Sequence, residues 1–175
     1  DGGTTWIPQI STTTEWLSSV FFIDLNNGTT VGGNGKILIT TNGGITWITQ
    51  NSSTPYYLNA ISYTDANNGI AVGGNGTILR TTSGGTNWIS QTSGTTNSLY
   101  GVSFTDVNNI TAVGVIGTIL RTTNGGTTWV SQTSGTTNYL SSVSFIDANK
   151  GTAVGLGGII LKTTNGVIKW ISQLN

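Results

Sequence analysis

Cysteine, histidine and methionine are all absent from this sequence, proline occurs twice, and charged residues make up only 7% of its 175 positions. Without cysteine there is no disulfide framework and no thiolate metal site. Without histidine the commonest general base is missing, and with it imidazole-based triads and most zinc sites. No apolar run approaches the ~18 residues of a membrane-spanning helix, so no membrane insertion is expected. Six basic and six acidic side chains cancel. That leaves no long-range field to draw in nucleic acid or an anionic membrane.

What is present is small, polar and periodic. Threonine, serine, asparagine and 26 glycines supply the polarity, and hydrophobic residues make up 35% of the chain. Such low charge is compatible with disorder, but the apolar residues recur at fixed positions, which points to folded β structure. The stretch Thr122 to Trp129 reads Thr-Thr-Asn-Gly-Gly-Thr-Thr-Trp, with close copies at Thr40 to Trp47, Thr81 to Trp88 and Thr163 to Trp170, and a clipped one at Asp1 to Trp6. Trp6, Trp47, Trp88, Trp129 and Trp170 are each 41 residues apart. A gapless period of ~40–45 residues is the size of a four-stranded propeller blade.

One copy reads as four short strands. Leu58 to Tyr63 is the first, and Asp65-Ala-Asn-Asn-Gly69 turns the chain, with Gly69 expected to supply a positive φ. Ile70 to Val72, Thr77 to Thr82 and Asn87 to Gln91 follow, separated by Gly73-Gly-Asn-Gly76 and Ser83-Gly-Gly85. A single such sheet exposes both faces and its edges, and stacking sheets around an axis buries the faces. The expected core is Leu17, Leu58, Leu99 and Leu140, then Val20, Ile61, Val102 and Val143, then Phe22, Tyr63, Phe104 and Phe145, and Leu38, Leu79, Leu120 and Leu161. The fold class is therefore all-β, a propeller or an arc of one, in one repeat domain over 1–175. Its blades run about 14–50, 55–91, 96–132 and 137–173. An orphan strand lies within 1–10, and Pro8 in Trp6 to Ile10 suits an edge. Because the sequence begins inside a motif, it reads as a processed chain or part of a longer one.

The Thr-x-Asn-Gly-Gly-x-Thr-Trp hairpin in its 41-residue unit resembles the Asp-box (bacterial neuraminidase) repeat propellers, and most of all the photosystem II stability/assembly factor repeats found in many secreted bacterial proteins. The resemblance implies that Asn42, Ser83, Asn124 and Asn165 cap turn amides, and that Trp47, Trp88, Trp129 and Trp170 pack between sheets. Val167 and Lys169 depart from the motif in the last copy.

Few residues suggest chemistry. The acids are Asp1, Glu15, Asp24, Asp65, Asp106 and Asp147, the last four being one repeat position in a hairpin turn. Two carboxylates in different environments can hydrolyse a glycoside. The sialidases this motif brings to mind hold their substrate carboxylate with three arginines, and only Arg80 and Arg121 exist here. Asp65-x-Asn-x-Gly69 lacks the acids of a calcium cage and reads as a capped turn. The Gly73 to Gly76 turn precedes no helix and reads as no phosphate cradle. No catalytic, cofactor or metal residue is assigned. Arg80, Arg121 and Lys162, with Ile39 as the exception, form a periodic set at one strand position. They read either as partners in a ladder of Asp–Arg contacts or as a strip that docks a partner. Trp16, Tyr57, Ser98 and Tyr139 directly follow the inter-blade loops, and pack at an edge or form an aromatic rim.

The function expected is a non-catalytic module for protein–protein interaction or assembly, part of a larger or self-associating protein. The low charge and Thr/Asn richness suggest a secreted, extracellular or periplasmic setting. One alternative is the structural subunit of an extracellular filament, surface layer or adhesin. The other is a carbohydrate-binding or vestigial sialidase-like domain, with a glycan as partner.

Overall fold

Alternating apolar and polar residues between glycine-rich turns fold, among the described residues, into sixteen strands in four antiparallel sheets. The structure is a computed structural model and describes residues 3–166 and 170–172. Each sheet is a simple meander. The first comprises β1 (Leu17–Phe22), β2 (Gly28–Gly32), β3 (Ile37–Thr40) and β4 (Ile48–Gln50). The second comprises β5 (Leu58–Tyr63), β6 (Gly69–Gly73), β7 (Ile78–Thr81) and β8 (Ile89–Gln91). The third comprises β9 (Leu99–Phe104), β10 (Ile110–Gly114), β11 (Ile119–Thr122) and β12 (Val130–Gln132). The fourth comprises β13 (Leu140–Phe145), β14 (Gly151–Gly155), β15 (Ile160–Thr163) and β16 (Ile171–Ser172). No α-helix occurs among the described residues.

The sheets stack in chain order as blades of a propeller arc, with the first strands β1, β5, β9 and β13 packed successively along its inner edge. These strands do not pair as a ladder. Side chains join them instead: Ser18 Oγ donates to Leu58 O at 2.5 Å, Asn59 Nδ2 to Leu99 O at 2.7 Å, and the Phe145 amide to Ser103 Oγ at 3.2 Å. Each junction has its own apolar cluster. Val31 and Ile37 meet Leu58, Ile61, Tyr63, Leu79 and Trp88. Ile70, Val72 and Ile78 meet Leu99, Ala112 and Leu120. Val113 and Ile119 meet Leu140, Val143, Leu161 and Trp170. The second strand is buried on both faces in β6 and β10, as in a sheet sandwiched between two neighbours, and β2 of the end blade is buried as well.

The two ends of the arc differ. In the first blade, Leu17, Val20 and Phe22 are exposed, Val20 by 57%, although their counterparts in later blades pack in the junctions. In the fourth, Val154 and Ile160 are exposed by 39% and 40%, where Val72 and Ile78 are fully buried. The expected core therefore holds wherever a neighbouring blade covers it; Leu38 is buried, whereas Leu17, Val20 and Phe22 depart from it because no neighbouring blade among the described residues covers them.

Three local expectations change. Gly69 is not among the residues with positive φ. It opens β6, and a Cβ there would lie 2.6 Å from the Tyr63 ring, so glycine is required for the ring to cross the strand. Residues 6–10 belong to none of the four sheets, and Trp6 is 88% exposed. A fourth strand needs its own third strand to pair with, and none precedes it in this sequence. Finally, β8 begins at Ile89, so Trp88 ends the turn ahead of the strand.

Candidate functional site

Three features were candidates for function: the Asp turns with their basic neighbours, the Asn-Gly-Gly hairpins, and the aromatic row. In the turns, Asp65 Oδ1 accepts the amides of Asn67 (2.8 Å) and Asn68 (2.9 Å), and Asn68 Nδ2 donates to Asp65 Oδ2 at 2.9 Å. Asp24 and Asp106 repeat this arrangement. Asp147 accepts the amides of Asn149 and Lys150, and Lys150 Nζ lies 3.7 Å from Asp147 Oδ2. These bonds, the Asn67 amide first for Asp65 and the Asn109 side chain first for Asp106, hold the carboxyls below the usual value of 3.8. The Asp side chains cap their own turns.

Fixing the asparagine by its Nδ2 leaves its Oδ1 for the basic residue. Arg80 Nη2 donates to Asn68 Oδ1 at 3.4 Å, and Arg121 Nη2 to Asn109 Oδ1 at the same distance, 3.4 Å. The expected direct Asp–Arg contacts are thus replaced by an asparagine relay, and the ion pair found among the described residues is Lys150–Asp147. Arg121 is 4% exposed and crosses into the fourth blade, where Nη2 donates to Ala148 O at 2.8 Å and Cζ sits 5.3 Å from the Phe145 ring centroid. Burial lowers the pKa of both arginines against the opposing pull of Asp65 and Asp106. Lys162 lies exposed on the open face of the fourth blade. With Arg121 buried, Arg80 half-buried and Lys162 exposed, the three do not share one exposed strip.

In the hairpins, Asn42 Oδ1 accepts the Thr46 amide and Asn124 Oδ1 the Thr128 amide, each at 3.0 Å, while Ser83 Oγ accepts the Asn87 amide at 3.1 Å. Asn165 Oδ1 accepts Thr163 Oγ1 at 3.1 Å. Gly126 has φ +89, a left-handed value that suits glycine, and its amide donates to Thr122 Oγ1 at 2.9 Å. The tryptophans differ. Trp88 and Trp170 are buried and donate from Nε1 to Gly85 O (2.9 Å) and Gln132 Oε1 (3.0 Å), whereas Trp47 and Trp129 are half-buried. Trp129 Nε1 is buried without a partner.

The aromatic row runs along the inner edge. Trp16 and Tyr57 have ring centroids 6.1 Å apart, Tyr57 OH lies 3.0 Å from Ser98 Oγ, and Tyr100 and Tyr139 approach to 4.6 Å. Tyr100 was not singled out in the sequence. It stands on β9 at the position of Ser18, Asn59 and Ser141, and restores an aromatic where the third blade has Ser98. That one-residue break in the repeat was its signal. Beside the row, Asn34 Nδ2 donates to Glu15 Oε1 at 2.9 Å. An open groove of about 880 Å³ runs between the inter-blade loops, lined by Asn97, Ile116, Trp129 and hydroxyl side chains including Thr118, Ser131 and Thr136. Among the described residues no three acids gather to hold a metal ion, and Asp1, Val167 and Lys169 lie outside those residues.

The chain is similar in fold to solved propellers. It matches "YCF48 bound to D1 peptide" with TM-score 0.74 and 23% identity over 91% of this chain and 55% of that one. It matches YCF48 from Cyanidioschyzon merolae with TM-score 0.73 and 23% identity over 93% of this chain and 57% of that one. An ancestral GH74 enzyme matches with TM-score 0.73 and 21% identity over 96% of this chain but 25% of that one. The chain thus spans little more than half the length of the two YCF48 chains. No curated protein matches the sequence. The family model described as photosynthesis system II assembly factor YCF48 matches residues 3–93 and again 88–174. With nearly its whole length covered by those two matches, the chain belongs to the YCF48 assembly factor family of BNR-repeat propellers.

Proposed function

We propose that this chain is a non-catalytic propeller module for protein interaction and assembly. The observation that carries the reading is the pair of uncovered blade faces. Val20 and Phe22 at one end, and Val154 and Ile160 at the other, occupy positions that the inner junctions bury. Apolar faces of this kind mark association sites. They are two halves of the same repeating junction, so they suit either further blades or a second copy of the chain joined head to tail. Two arcs closing on each other give a ring, and contacts that run on give a filament. The peptide-bound YCF48 structure adds weight to a protein partner.

Sedimentation of the isolated chain tests the reading. Association at micromolar concentration is expected, and a stable 18.2 kDa monomer overturns it. A secreted or periplasmic setting is supported by the charge-poor composition, and fractionation of the native host tests it.

A neutral glycan is the second reading, favoured by the Trp16, Tyr57, Tyr100 and Tyr139 row beside uncharged hydroxyls. Array binding that disappears with Trp16→Ala or Tyr139→Ala supports it, and binding indifferent to both removes it.

A further inference from the structure

The three blade junctions share one architecture, but the first lacks its arginine. In the third junction Arg121 lies over Phe145; the same repeat positions hold Arg80 and Phe104 in the second junction, and Ile39 and Tyr63 in the first. The acceptors that the third junction offers its guanidinium are Asn109 Oδ1, Thr111 Oγ1 and the Ala148 carbonyl. Their repeat counterparts in the first are Asn27, Thr29 and Ala66. All three line a cavity of about 240 Å³, together with Ile39 and Gly84. Gly84 is the counterpart of Gly125, where an added Cβ would lie 2.5 Å from Arg80 Nη1. The cavity therefore sits where a guanidinium lies in the next junction.

The donor balance points the same way. Asn27 Nδ2 is held by Asp24 at 2.9 Å, as Asn68 and Asn109 are held by their own aspartates, and Asn27 lines the cavity. Arg80 and Arg121 each sit in the field of an acid, Asp65 and Asp106. No cation contributes to the environment of Asp24, whose downward shift comes from Asn27 first and then the Asn26 amide. The first junction thus keeps Asn27, the Ala66 carbonyl and the acid of an arginine site without the arginine, while Thr29 Oγ1 is shared with Tyr63 OH at 3.0 Å.

We infer that this cavity is a binding socket for the guanidinium of an arginine side chain carried by a protein or peptide partner. Asn27 and the Ala66 carbonyl stand at the positions of two acceptors that engage Arg121, and Thr29 Oγ1, shared with Tyr63 OH, at the third; the planar guanidinium fork suits such a set and a lysine ammonium does not. Small-molecule sites are usually ~300–1,000 Å³, so about 240 Å³ suits one side-chain head better than a metabolite. Presentation on a partner rests on the interaction-module reading; binding of the free side chain does not.

The test is a titration of the full chain with N-acetyl-L-argininamide, followed by amide NMR shifts at Thr29, Ala66 and Gly84. The corresponding lysine and citrulline amides serve as comparisons. Saturable shifts confined to this junction are expected with the arginine compound, and binding at least about tenfold weaker with the other two. Ile39→Arg is expected to fill the socket from within and abolish the shifts. Should that variant fail to fold, Asp24→Asn is expected to weaken binding, because it removes the acid while an amide still holds the turn. No saturable shift overturns the inference, as does equal binding of the citrulline compound or binding unchanged in either variant. A negative result leaves the sedimentation behaviour, and hence the assembly reading, to stand or fall separately.

Discussion

Tyr63 OH and Thr29 Oγ1 lie 3.0 Å apart across the first blade junction, both buried. The hydroxyl of Tyr63 stands in for one bond of the arginine that this junction lacks, since Thr111, the counterpart of Thr29, accepts Arg121 Nη1 at 3.3 Å. Burial is the main cause that pushes the Tyr63 phenol up to about 12.

The first prediction follows from that bond. Tyr63→Phe leaves the Thr29 hydroxyl buried without a partner and is expected to cost about 1–3 kcal/mol. Thr29→Val added to it is expected to cost less than the two single changes together. Denaturant midpoints measure both, and simple additivity rules the coupling out.

Above pH 10 the unfolded chain ionises this tyrosine while the folded one keeps its proton. The raised value therefore stabilises the fold below the unfolded value, and that contribution is lost as pH rises towards about 12. Burial also raises Tyr100 and Tyr139, so ultraviolet titration should find a late tyrosine fraction that shrinks, without vanishing, in Tyr63→Phe.

The acid limb has the opposite sign. Hydrogen bonds lower Asp24, Asp65, Asp106 and Asp147 below 3.8. They favour the fold above the unfolded value, and this is lost as pH falls through the lowered ones. Melting temperature is expected to fall below about pH 4, where the unfolded carboxyls begin to bind protons. Asp65→Asn should flatten the slope, and an unchanged slope would count against the capping role.

Arg121→Ala removes bonds to Thr111, Asn109 and Ala148 and the contact with Phe145. Hydrogen bonds to a charged group are worth about 1.5–3 kcal/mol, and a loss of that order is expected. Arg80→Ala is expected to cost less, because Arg80 is half-buried and its hydrogen bond to Asn68 is long. Arg121→Lys should restore little. Equal losses for Arg80 and Arg121 would remove the distinction.

Among the motif tryptophans, Trp88→Ala is expected to cost about 3–5 kcal/mol, as for other buried aromatics. Trp129→Ala should cost less, since its ring is only partly buried and its Nε1 makes no hydrogen bond. Thermal unfolding of the two variants checks the order.

Much of this was legible in the chain. The 41-residue period, the turn residues and the strand-by-strand alternation are local properties, and each blade forms from its own residues. Asn42 and Asn124 cap amides four positions onward, within reach of any chain with that spacing. What the tertiary structure decided is which equivalent residues are equivalent in fact. Val20 and Ile61 occupy one repeat position, yet Val20 is exposed and Ile61 buried, because burial depends on the blade next door. Arg121 read either as a ladder partner of an aspartate or as part of a docking strip, and is enclosed, because its side chain lies on the face that the fourth blade covers. Ile39 stood out as an exception in the basic set, and Tyr63 read as an ordinary core position. Only stacking brings them to the two sides of one junction, where the cavity lies, because a period along the chain carries no record of which faces meet.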